Sequence, residues 1–232
     1  DAMRLLRREG ATHLVSACNS ISAAVVRPML ELFGVKESSI VEMVGPAALA
    51  LAALKPRKVA VAATIATVAS GIYQKHLEDL GLRVEMIASP DLAQAIEFGH
   101  SPASVRKAIR EIVQRAVEQD CDLLMLGCTH YPLVYSCFEE VVQEMDVPLG
   151  VFDPADAVAE HVLSMYGAEG SRRLRCLISK DSAVFRARVH AYFPEAQIVL
   201  TVLDEKRRGI VSSSVFVGKI HSSLNLNPEA AV

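Results

Sequence analysis

Leu123-Leu124-Met125-Leu126-Gly127-Cys128-Thr129-His130-Tyr131-Pro132-Leu133 is the stretch from which the fold is read. Four apolar residues form a short buried strand, and the spacing after Pro132 predicts a helix over Leu133–Met145. Gly127 lets the backbone turn between them, and proline suits a first helical turn, where its missing N–H costs nothing. Cys128 is therefore expected where a buried strand gives way to a helix. His13-Leu14-Val15-Ser16-Ala17 leads in the same way into Cys18-Asn19-Ser20, with a helix-like run over 20–33 closed by Gly34. Two cysteines, each after a strand and each beside small hydroxyl or amide side chains, are the feature to explain.

Outward from these turns, strands and helices alternate. Strands are expected at Ile40–Val44, Lys58–Ala63, Arg83–Ala88, Pro148–Phe152, Arg175–Ser179 and Ile198–Leu203. Helices are expected at 1–9, Ala47–Leu54, Thr64 to about Leu80, Pro90–Phe98, Pro102–Gln119, Ala155–Tyr166 and Asp181–Phe193. Gly45-Pro46 reads as punctuation, and Ser212–Ser214 as loop or tail. The alternation predicts an α/β fold with mainly parallel sheets flanked by helices, in which ligands collect at the carboxyl ends of strands. Both cysteines fall there.

The chain of 232 residues is long enough for a large core, and 51% apolar with 22% charged residues argues against disorder. A net charge of −3 without clustered Lys or Arg offers no footprint for nucleic acid. Apolar runs such as Ala47–Leu54 are too short to span a bilayer. Five cysteines is an odd count, which reads as reduced thiols in a cytoplasmic enzyme.

A helix start lowers a thiol's pKa from its ordinary value of about 8.5, so Cys18 and Cys128 are expected to be partly thiolate. Two thiols facing one another across a small substrate can invert a stereocentre, one removing a proton and the other supplying one to the opposite face. Backbone N–H groups at the helix starts, with Asn19, Ser20, Thr129 and Thr64, suit a carboxylate. A free amino acid fits that description. Against this stands the default of a cysteine as an inert small hydrophobe, which Cys121, Cys137 and Cys176 keep. A Cys128/His130 metal site lacks a CxxC or HxxxH partner.

Ala17-Cys18-Asn19-Ser20-Ile21-Ser22-Ala23 resembles the ACNTASA motif of bacterial glutamate racemases, and Leu126–Leu133 resembles their LGCTHYPL motif throughout. Thr64, Thr67, Ser70 and Tyr73 resemble the hydroxyl-rich turn of that family. Ser89-Pro90 through Glu97 resembles its Cys-Pro…Val-Glu segment, with Ser89 in place of the cysteine. The resemblance implies a cofactor-independent, metal-free enzyme of the bacterial cytoplasm that interconverts L- and D-glutamate for peptidoglycan and cell shape. Cys18 would serve the proton of the D-isomer and Cys128 that of the L-isomer. His130 and Glu97 would assist Cys128, while Asn19, Ser20, Thr64, Thr67 and Thr129 would hold the substrate. His130 favours glutamate over aspartate, with aspartate or another small acid as the alternative. Two similar lobes are implied, residues 1–45 with 150–232 and residues 46–149, with the site in the cleft between them.

The family's opening Asp-Ser-Gly-x-Gly-Gly, Gly-Asp and Pro-Tyr-Gly segments do not occur in residues 1–232. That aspartate would assist the first cysteine. A fragment, a homodimer that lends a strand across its interface, and a paralogue that binds without turnover are the readings left open. The expectation is weak or no racemisation by residues 1–232 alone, and full turnover of glutamate by that purified chain would contradict it.

Overall fold

The computed structural model describes residues 2–22, 40–167, 169–204 and 209–214, and these fall into two compact units divided after Gly167. The first unit begins with α1 (Ala2–Arg8), which Gly10 ends at a φ of +94°, a value glycine adopts without strain. Then come β1 (Leu14–Ser16), the short helical turn α2 (Asn19–Ile21) and β2 (Ile40–Glu42), which pairs parallel to β1 with Val15 opposite Val41. Val15 is 47% exposed, so β1 is not the buried strand its apolar sequence predicts. The helix expected over 20–33 lies beyond residue 22 outside the described residues.

Next come α3 (Val44–Ala53), β3 (Val59–Ala63), α4 (Ile65–Ala69), α5 (Ile72–Asp79), β4 (Val84–Ala88), α6 (Leu92–Glu97), α7 (Pro102–Glu118) and β5 (Leu123–Leu126). A 3₁₀ turn (Tyr131–Val134) then precedes α8 (Tyr135–Glu144), β6 (Gly150–Phe152) and α9 (Ala155–Tyr166). Gly45-Pro46 does not punctuate the chain but lies in the first turn of α3. Proline lacks only an N–H that a first turn leaves unpaired, and the Glu42 carboxylate accepts from the N–H groups of Val44 (2.6 Å) and Gly45 (2.7 Å). The single helix expected after Thr64 is two, α4 and α5, because Gly71 takes a φ of +65° between them. The helix expected from Leu133 likewise opens as a 3₁₀ turn.

Strands β3 to β6 form one parallel sheet in the order β4-β3-β5-β6. Alternate side chains serve opposite faces. Ala60, Ala62, Leu124 and Leu126 pack against Leu92, Ile109 and Phe138 of α6, α7 and α8. Val59, Val61 and Met125 pack against Val44, Leu51, Tyr73 and Leu77 of α3 and α5. Helices therefore cover both faces, and the five apolar positions read from α7 (Val105, Ile109, Ile112, Val113, Ala116) are all buried. Each fully buried aliphatic side chain of this kind contributes roughly 1.5–3 kcal/mol. From β3 the chain goes to one side, to β4; from β5 it goes to the other, to β6. A crevice must open where the connections diverge, between the carboxyl ends of β3 and β5. Thr64 directly follows β3 and Gly127-Cys128 directly follow β5.

The second unit contains β7 (Arg173–Ile178), α10 (Ala183–Tyr192), β8 (Gln197–Asp204) and β9 (Gly209–Ser214). β8 pairs parallel with β7 and antiparallel with β9, so Ser212–Ser214 belong to a strand and not to a loop or tail. Backbone pairing overrides the weak strand propensity of a serine run. Val189, Ile198 and Leu200 form its small core.

Gly127 carries the closest approach in the larger sheet. Its N–H donates to Ala62 O at 2.7 Å, and a Cβ placed on it would lie 2.9 Å from both Ala62 O and Val61 Cγ1. Gly127→Ala is expected to cost about 1–3 kcal/mol through this clash, read as a lower urea midpoint with an unchanged slope. An unchanged midpoint would mean that β3 and β5 part without cost.

Candidate active site

The crevice and the turn after β1 gather most of the residues singled out in the sequence. Cys128 is 7% exposed, one residue beyond Gly127. Its Sγ lies 3.8 Å from Nδ1 of His130, and Nε2 of the same ring lies 3.0 Å from Glu97 Oε2 at the end of α6. A thiol, an imidazole and a carboxylate thus stand in line, with the buried sulfur inside and the half-exposed Glu97 at the rim. This order suits proton transfer, because the histidine can exchange a proton with the thiol while the carboxylate holds the ring in place.

Burial pushes the Cys128 thiol up. The N–H groups of His130 and Tyr131 pull it back in part, and the nearby Cys18 pushes it further up. This corrects the expectation of a thiolate favoured by a helix start. Cys128 leads instead into a tight turn in a dry crevice, and desolvation wins. The same coupling places the two cysteines within electrostatic reach of one another. Cys18 itself is half-buried and extended, with φ −120° and ψ 117°, at the head of α2.

Asn19 is 3% exposed. Its Oδ1 accepts a hydrogen bond from the Tyr73 hydroxyl of α5, and its Nδ2 has no hydrogen-bond partner among the described residues. Ser20 Oγ lies 3.0 Å from Thr64 Oγ1 and 2.8 Å from Thr67 Oγ1, and the two threonine hydroxyls are 3.1 Å apart. These three hydroxyls close a triangle that ties the Cys18 turn to the carboxyl end of β3. Thr64 caps α4, accepting from the N–H of Thr67 at 3.3 Å. Thr129 is half-buried between Cys128 and His130. The structure therefore groups Cys128, His130 and Glu97 in one chain of contacts and Ser20, Thr64 and Thr67 in another.

Four further residues belong to this region. Tyr73 holds Asn19, and Glu42 caps α3 close enough to Tyr73 to affect its ionisation. The Tyr131 hydroxyl is buried with Ser89 beside it and without a hydrogen bond of good geometry. The signal for Tyr73 was its place in the Thr64–Tyr73 turn, and that for Ser89 its place at the head of the segment running to Glu97; Glu42 gave none, since a strand-end carboxylate is ordinary surface chemistry until its neighbours are known. Among the described residues, no group of three His, Cys, Asp or Glu side chains is placed to hold a metal ion, and no helix is long and apolar enough to cross a membrane.

A doubly wound parallel sheet with two thiols and a hydroxyl–amide cluster at its switch point defines a class of α/β proteins suited to proton chemistry on small molecules. Residues 1–162 match the Asp/Glu/Hydantoin racemase family, and the chain belongs to that family. It is 33% identical over 172 residues to a glutamate racemase of Lactobacillus acidophilus, covering 73% of this chain and 62% of the relative. With a glutamate racemase of Koribacter versatilis it shares 36% identity over 171 residues, covering 72% of this chain and 57% of the relative. The chain thus spans about three-fifths of the length of these curated relatives. The crystal structure of a glutamate racemase isoform from Bacillus anthracis superposes with a TM-score of 0.74 at 23% identity, over 88% of this chain and 78% of that one, a likeness of fold.

The direction of the Cys128 shift can be measured. Its thiolate forms only above the ordinary cysteine range of about 8.5, so iodoacetamide labelling of the Cys128 peptide should rise at higher pH than that of a denatured control. Above the unfolded pKa the unfolded chain sheds this proton while the folded chain keeps it. Stability is then lost as pH rises through the folded value, and Cys128→Ser should flatten that loss. A Cys128 labelling midpoint at or below that of the denatured chain would contradict the burial argument.

Proposed function

We propose that the chain carries the two-thiol site of a cofactor-independent glutamate racemase, acting in the bacterial cytoplasm to supply D-glutamate for peptidoglycan. The observation that carries the reading is the line Cys128–His130–Glu97, with Cys18 in electrostatic reach of the same sulfur. Family membership and the names of the relatives support it.

In this reading the substrate's α-carbon sits between the two sulfurs. With L-glutamate, His130 draws the proton from the Cys128 thiol, whose raised pKa keeps it protonated at rest. The thiolate then removes the α-proton, and the Cys18 thiol delivers a proton to the opposite face. One C–H bond breaks, another forms, and the electron pair stays on the substrate as the carbanion-like intermediate collapses. With D-glutamate the order reverses. A high thiol pKa serves the step, because a thiolate formed in a dry crevice is a stronger base than one stabilised by water. Asn19 and the backbone N–H groups beside the thiols would hold the α-carboxylate. The hydroxyls of Ser20, Thr64, Thr67 and Thr129 would take the remaining polar groups. Glu97 keeps the imidazole oriented and balances its charge.

The test is solvent-deuterium incorporation at Cα of each isomer, followed by proton NMR. Exchange above the buffer rate is expected, however slow the net inversion. Cys128→Ser should reduce exchange from L-glutamate, and Cys18→Ser that from D-glutamate, each by roughly 10²–10⁴-fold. Exchange absent from both isomers, or undiminished in both variants, would sink the two-thiol reading; faster exchange of aspartate than of glutamate would reassign the substrate.

A further inference from the structure

Tyr73 is fully buried, its ring packed among Val44, Leu51, Leu77 and Met125. That packing fixes where its hydroxyl can be. The hydroxyl donates to Asn19 Oδ1 across 54 positions of sequence. A carboxamide presents an acceptor on one side and two N–H donors on the other. With Oδ1 engaged by a donor, the Nδ2 side must face away from Tyr73. That nitrogen is buried and unpaired among the described residues, one position from Cys18. A buried donor left unpaired costs about 1–3 kcal/mol, which points to a partner beyond the described residues, such as a bound ligand.

We propose that Tyr73 is a positioning residue: it fixes the flip of the Asn19 carboxamide so that Nδ2 is committed as a donor to a carboxylate oxygen of the ligand. The ligand's identity rests on the glutamate reading above, whereas the positioning does not. Burial first, and then the nearby Glu42 and Cys128, keep the Tyr73 phenol protonated across the working pH range, so it remains a donor. Without the hydroxyl the amide could rotate by half a turn and present its oxygen to an anionic group, and like would face like. Nothing in Tyr73 needs to touch the substrate for this to matter.

The experiment is a double-mutant cycle over the chain and its Tyr73→Phe, Asn19→Ala and doubly substituted forms. Binding of D-glutamate is titrated by ¹⁵N–¹H NMR, and the Asn19 side-chain amide signal is identified by its loss in Asn19→Ala. Tyr73→Phe should weaken binding about tenfold, as for loss of one hydrogen bond to an oriented group, and should have no further effect once Asn19 is alanine. Equal affinity in Tyr73→Phe, or losses that simply add, would overturn the proposal.

Ligand-free protein provides the readout that separates the two claims. The Asn19 amide protons should exchange with solvent faster in Tyr73→Phe. If the unsubstituted chain binds no glutamate, the racemase reading falls and the positioning is judged on this exchange alone: unchanged exchange overturns it. Should Tyr73→Phe fail to fold, Asn19→Asp decides, because it keeps the acceptor for Tyr73 but puts an anionic oxygen where Nδ2 stood. Binding is then expected to fall at least a hundredfold, and retained binding overturns the proposal.

Discussion

The close contact of Gly127 with β3 is the constraint on which the rest depends. The 2.7 Å hydrogen bond from its N–H to Ala62 O carries the β3–β5 pairing one residue past the strand, to the edge of the crevice. Only a residue without Cβ fits there, with Ala62 O and Val61 Cγ1 both at 2.9 Å from where that atom would be. The consequence is positional. Cys128 is held directly beyond the carboxyl end of β5, beside the end of β3, where the neighbouring connections diverge. A looser junction would let the sulfur move relative to His130 and to the Ser20–Thr64–Thr67 hydroxyls.

From that point the site is built by competition between burial and polar compensation. Cys128 loses its water to the crevice, and two backbone N–H groups offset only part of the cost of a thiolate. The imidazole of His130 is the group in contact, and Glu97 steadies it from the solvent side. On the other wall the hydroxyls satisfy one another, which leaves Ser20, Thr64 and Thr67 ordered before any ligand arrives. Asn19 is the exception. One half of its amide is engaged by Tyr73, whereas its Nδ2 has no hydrogen-bond partner among the described residues.

Much of this was legible because it depends on local pattern. Strand–helix alternation, the period of Val105–Ile109–Ile112–Val113–Ala116 and the Gly-Cys turn after Leu126 needed no tertiary knowledge. The misread boundaries were local signals overruled by context. Pro46 sits in a first helical turn because Glu42 already accepts from that turn's N–H groups. Gly71 splits one helical pattern into two by adopting a left-handed conformation, and Ser212–Ser214 pair as a strand because β8 offers them an edge.

The sequence by itself determined the α/β class, the placing of both cysteines at strand ends and the polar residues beside them, since each is set by spacing within a few residues. Only the tertiary structure decided that Glu97, 33 positions from His130, stands behind its ring, and that Tyr73, 54 positions from Asn19, holds its amide. The same holds for the Cys128 thiol, raised rather than lowered. Its ionisation depends on how much water the crevice excludes, and that is a property of the assembled sheet and its covering helices, not of the residues next to it in the chain.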